Sequence, residues 1–214
     1  MNQSRLACAL AGAALSVLVL AGCSGVDPGA AQTPSESPSA SAVPSASEAP
    51  SATPTPTPSP ASAAGPAVNI PVPEKPALAD ENTVEGLEAF TEWWFELLNY
   101  AYATNDLEPL NAVTDEGCTS CDNIEESIAS VYVDGGWLRG GDVNLETFKS
   151  EFVPNTSGSI SSFAFVTQDS ATYYDSSGEV IREGDPYSEP TARQTVAVFA
   201  EGSWLMLDLG TPGA

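Results

Sequence analysis

The chain has 214 residues and a formal net charge of −23, from 29 acidic and 6 basic side chains. A surface so short of cations excludes nucleic acid as a partner, because phosphate binding needs a basic face. Histidine is absent, which removes the commonest general base, the Ser-His and Cys-His pairs and most zinc ligand sets.

At the start, Arg5 precedes an apolar run from Ala7 to Leu20, and Leu20-Ala21-Gly22-Cys23 closes it. A charged start, a short apolar core and small residues before a cut define a secretory signal. The run is shorter than the roughly 20 residues a membrane-spanning helix needs. The closing tetrapeptide resembles the lipobox of bacterial lipoprotein precursors. That resemblance implies cleavage after Gly22 and diacylglycerol on the Cys23 sulfur. Residues 1–22 are then a signal peptide, and the mature chain is anchored to the outer face of the cell membrane. Cys8 leaves with the signal.

Residues 23–73 are mostly Ser, Ala, Pro and Thr, including Thr53-Pro54-Thr55-Pro56-Thr57-Pro58-Ser59-Pro60. With almost no large apolar side chains, such a stretch cannot offset the entropy of folding. It is expected to be a disordered linker, reaching on the order of 100 Å as extended polyproline-like chain. Residues 74–214 suit one domain with a modest core. Anionic headgroups should repel so acidic a domain, so lipid and linker would do the anchoring.

Within the domain, residues 82–103 predict a helix. Asn82 and Glu85 stand three apart, as in a capping box. At 100° per residue, Leu87, Phe90, Trp94, Leu97, Leu98 and Ala101 share one face, with Glu85, Glu88, Glu92 and Glu96 opposite. Aromatic flanks widen the apolar arc past half the circumference, so a curved sheet or a second helix should wrap it. Short helices are predicted over 107–113, with Pro109 in the first turn, and over 122–133, stopped by Gly135-Gly136.

The period then becomes two. Strands are predicted over 137–139, 143–153, 160–170, 171–181, 194–200 and 203–209, the last two joined by Glu201-Gly202. Asp175-Ser176-Ser177-Gly178-Glu179 is the nearest approach to a calcium loop, but it lacks the alternating carboxylates and reads as a hairpin turn. Helices first and antiparallel strands afterwards give an α+β domain, with the helices packed on a curved antiparallel sheet.

Cys118 and Cys121 have three readings. Outside the cytoplasm, two nearby cysteines most simply form a disulfide. A redox pair normally follows a strand and opens a helix, whereas this one follows a helical region. Zinc would need two more ligands, and only carboxylates remain to supply them. No cofactor or metal is expected.

The series Glu92-Trp93-Trp94, Tyr100-Ala101-Tyr102-Ala103-Thr104-Asn105-Asp106-Leu107-Glu108-Pro109-Leu110, Cys118-Thr119-Ser120-Cys121 and Gly135-Gly136-Trp137 resembles an uncharacterised family of actinobacterial lipoproteins. Its domain resembles the cone-shaped α+β fold of the nuclear transport factor two superfamily, shared with ketosteroid isomerase and polyketide cyclases. The resemblance implies a cone whose mouth Trp94, Tyr102, Tyr132 and Trp137 could line. Their simpler role is core packing.

Two functions follow as expectations. One is a non-catalytic surface lipoprotein binding a cell-envelope protein or a small ligand. The other is a small enzyme in which an Asp and a Tyr transfer a proton. Asp106 and Asp115 fall near predicted helix ends, where capping is their simpler role. A hollow cone with a buried unpaired carboxyl would favour the enzyme.

Overall fold

The computed structural model describes residues 56–213. The Cys23 site, the signal segment and the linker up to residue 55 lie outside them.

A 3-10 turn, Ala77–Asp80, precedes helix α1, Val84–Thr104. The N-cap is Thr83 and not the expected Asn82: the Thr83 hydroxyl accepts from Gly86 N at 3.0 Å. The shift follows from the chain path. Glu81 comes so close to Gly86 that a Cβ there would collide with the Glu81 carbonyl. The helix ends at Asn105 in the left-handed region. All six residues of the predicted apolar face are buried, together with Trp93 and Phe95. Glu85, Glu88, Glu92 and Glu96 face outward. Burial raises the carboxyl pKa of Glu96, and Glu92 one turn back adds to it.

Helix α2 spans Glu108–Asn111 and α3 spans Thr119–Tyr132. The third helix starts three residues before its predicted onset because Cys118 is its N-cap. Its sulfur accepts from Cys121 N at 3.2 Å. Asp106 accepts from Glu108 N, and Asp115 from Gly117 N. Both therefore hold the approaches to helices, as their positions suggested.

Seven strands follow: β1 Trp137–Gly140, β2 Val143–Lys149, β3 Ser159–Gln168, β4 Ala171–Tyr174, β5 Val180–Gly184, β6 Tyr187–Ala200 and β7 Ser203–Gly210. They form two antiparallel sheets, ordered β1-β4-β5 and β2-β3-β6-β7. The predicted strand over 171–181 is divided by the hairpin turn at Asp175, whose carboxylate accepts from Ser177 N and Glu179 N.

The division into two sheets has a local cause. β1–β2 and β3–β4 are the arms of one long antiparallel pair. Gly140 and Gly141, both at positive φ, bend one arm, and Gly141 N donates to Ser170 O at the same corner of the other. Any other residue would be strained in that conformation, and at Gly140 a Cβ would also strike the Ser170 carbonyl.

The α+β class expected from the sequence is the class observed. Helix α1 lies on the four-stranded sheet, its apolar face sharing one core with Ile160, Ala164, Val166, Ala197, Trp204 and Met206. Trp204 is the aromatic centre of this core. Phe90, Phe152 and Phe199 surround it at centroid distances of 6.5, 6.1 and 5.1 Å, and its indole donates to Glu81 O.

The domain begins earlier than the boundary placed at residue 74. Residues 56–73 form a strap held by backbone bonds between Ser59 and Val68 and between Ser62 and Gly65. Two buried indoles grip it: Trp137 donates to Ser62 O at 2.8 Å, and Trp93 to Pro73 O at 3.1 Å. The strap lacks large apolar side chains over most of its length, yet its carbonyls supply what buried tryptophans require. Among the described residues no helix is long and apolar enough to cross a membrane.

Candidate functional site

Between the helices and the concave face of the four-stranded sheet lies a pocket of about 520 Å³, within the size range of small-molecule sites. Helix α1 contributes Phe95, Leu98 and Tyr102, and α3 contributes Ser120, Asn123 and Ile124. The sheet supplies Val143, Val166, Thr167, Gln168, Tyr187, Thr191, Arg193 and Leu209. The wall area is mainly apolar, and polar side chains from both the helices and the sheet are interspersed in it. The lining includes no Asp or Glu.

Of the four aromatics expected at the mouth, only Tyr102 is among the lining residues. Trp94 is fully buried in the core, where its indole donates to Thr114 Oγ1 at 2.9 Å. Tyr132 is half-buried and donates to Tyr102 O at 2.6 Å. Burial pushes its phenol up to about 12. Trp137 belongs to the three-stranded sheet, stacked on Tyr174 with centroids 5.3 Å apart. These three hold the structure around the pocket and do not form its wall. The helical period already placed Trp94 on the core face. The places of Tyr132 and Trp137 depend on the path of the chain through the fold.

Sequence reasoning missed Arg193. Its predicted strand began at Gln194, whereas β6 begins at Tyr187. Arg193 pairs with buried Ala164 and precedes buried Thr195 by two. Side chains alternate across a strand, so Arg193 shares their inward face. A charge two residues before an apolar alternation was the available signal.

The pocket's ionisable groups are Arg193 and the phenols of Tyr102 and Tyr187. Tyr102 has its pKa raised, first by burial and then by the Tyr173 phenol nearby, with Arg193 pulling the other way. Its hydroxyl is thus a neutral donor at ordinary pH. Gln168 is fixed from behind, its amide donating to Gly141 O at 3.0 Å.

Cys118 and Cys121 form a disulfide with Cα atoms 5.2 Å apart. Both residues are buried. Ser120, which lines the pocket, bonds through its hydroxyl to the Asp208 carboxylate. The bridge thus fixes the first turn of α3 over the pocket's edge. Closing so short a loop contributes about 2 kcal/mol in the chain-entropy model. Reduction is expected to leave the domain folded, with stability lower by about 1–2 kcal/mol. Urea unfolding with and without reductant, with thiols counted in each sample, checks this. Unfolding in dilute buffer on reduction alone would contradict it.

An α+β fold with a largely apolar pocket between helices and sheet defines a class of pocket-bearing domains. A protein-family model matches residues 56–210, and the chain belongs to DUF6318, a family of unknown function. The match begins where the strap begins. Comparison with curated proteins finds no match.

Among solved structures, the fold is similar to the intermembrane space region of the chloroplast protein ARC6. The identity is 14% and the TM-score 0.42, over 60% of this chain and 95% of that one. It is also similar to Aln2 from a Streptomyces species, at 15% identity and TM-score 0.36, covering 57% of this chain and 88% of that one. A third is ActVI-ORFA from Streptomyces coelicolor, at 14% identity and TM-score 0.37, covering 58% of this chain and 94% of that one.

Proposed function

We propose that this protein is an extracytoplasmic, lipid-anchored binding protein whose domain holds a small, mainly apolar ligand. The pocket between α1, α3 and the sheet carries the reading. Its walls offer apolar contact together with the donors of Tyr102 and Arg193, which suit binding and orientation. Proton transfer by an Asp–Tyr pair would need a carboxyl beside the phenol, and the lining residues include none. The disulfide supports an oxidising compartment, and the Leu-Ala-Gly-Cys segment ending at Cys23 supports an anchor there.

The test uses N-phenyl-1-naphthylamine, a neutral apolar dye that brightens out of water, titrated into the purified full chain. Saturable binding of one dye per chain is expected, and Ile124→Trp, which fills the pocket from α3, should abolish it with the fold intact. Absence of saturable binding to the unaltered chain would overturn the reading. Anchoring is tested apart from it, by mass spectrometry of the mature N-terminal peptide. Diacylglycerol on Cys23 is expected, and a Cys23→Ala chain should no longer receive it.

A further inference from the structure

Arg193 is one of 6 basic residues set against 29 acidic ones, and it is the basic residue that lines the pocket. Among the described residues no carboxylate lies within 4.0 Å of it; the ion pair found there joins Lys75 and Asp80. It is half-buried, on the face of β6 that carries buried Thr195 and Ala197. A guanidinium brought partly out of water without a partner costs free energy. In so acidic a chain, a carboxylate partner from the protein itself would be easy to supply. Around Arg193 the pocket adds the Tyr102 hydroxyl, with apolar walls from Phe95, Leu98 and Ile124.

We infer that the pocket takes a small amphiphilic monoanion: a carboxylate on an apolar body, with the carboxylate held by Arg193 and the Tyr102 hydroxyl donating beside it. This rests on the reading that the pocket holds a small apolar ligand, and narrows it. The planar guanidinium fork matches a carboxylate at two points. A neutral or cationic ligand would leave Arg193 as unpaired as before. The net charge of −23 opposes each added negative charge on an incoming ligand, so one anionic group is favoured over several. Two sources supply this chemistry, a fatty acid released from lipid and an aromatic acid in solution.

Competition against bound N-phenyl-1-naphthylamine in the full chain tests the inference, using decanoate, 2-naphthoate and decanol. At least one acid should displace the dye about ten- to a hundredfold more effectively than decanol, the usual range for a hydrogen bond to a charged group. The stronger acid identifies the source. Arg193→Gln should erase that advantage, read as the ratio of acid to decanol displacement within the variant itself, and Arg193→Lys should keep part of it. Decanol matching both acids would overturn the inference and leave the broader ligand reading standing. An acid preference that survives Arg193→Gln would overturn the role given to Arg193. No saturable dye binding would overturn both readings. If Arg193→Gln fails to fold, the comparison of acids with decanol in the unaltered chain decides.

Discussion

Trp204→Ala is expected to remove about 3–5 kcal/mol of stability, the range for deleting a fully buried aromatic. Trp204 is 2% exposed, and three phenylalanine rings pack around it. Those rings come from α1, from the segment after β2 and from β6, so the cavity could not collapse without moving several elements at once. The substitution also leaves Glu81 O without the indole donor that ties the 3-10 turn to the sheet. Domains of this size are stable by only about 5–15 kcal/mol in total, so the variant should sit near the edge of unfolding. Urea denaturation of both proteins, followed by far-ultraviolet circular dichroism, measures the loss. A loss below about 1 kcal/mol would mean that the core does not centre on this ring.

The second large effect concerns the strap. A chain beginning at residue 74 is expected to be less stable than one beginning at residue 56, by on the order of 2–4 kcal/mol. Two tryptophan donors lose their carbonyl partners, Ser62 O and Pro73 O, at about 1 kcal/mol each. Uncovering part of each indole adds to this at about 25 cal/mol per Å². Trp137 is 5% exposed with the strap in place, so the shorter chain should also show red-shifted tryptophan emission. Equal midpoints and equal emission for the two chains would mean that the strap adds nothing. The boundary at 74, drawn from composition, would then be the right one.

Much of the architecture could be read from local pattern. The 3.6-residue period fixed the buried face of α1 residue by residue, because an amphipathic stripe requires only the helix itself to be visible. The change to period two after Gly136 marked where the strands begin, though it ran β4 and β5 together and missed the first half of β6, and the order of helices before strands gave the α+β class. Compartment logic and close spacing gave the Cys118–Cys121 bridge.

What the sequence left open depended on contacts between distant segments. A Pro- and Ser-rich stretch carries no apolar pattern, so the strap could not be seen in residues 56–73. It is ordered by its backbone carbonyls, which Trp93 and Trp137 find across 20 and 75 residues. The early start of α3 depends on a cysteine sulfur acting as cap, outside the usual Ser, Thr, Asp and Asn set. The pocket is further still from local pattern. Whether Arg193 points inward depends on the β3–β6 register, and a slip of one residue would turn it to the other face. Composition and periodicity thus determined the class of fold and the helix face that builds its core. Which side chains surround the pocket was decided by strand register and by the glycine corner at Gly140-Gly141, because an inward direction has no meaning until the sheet exists.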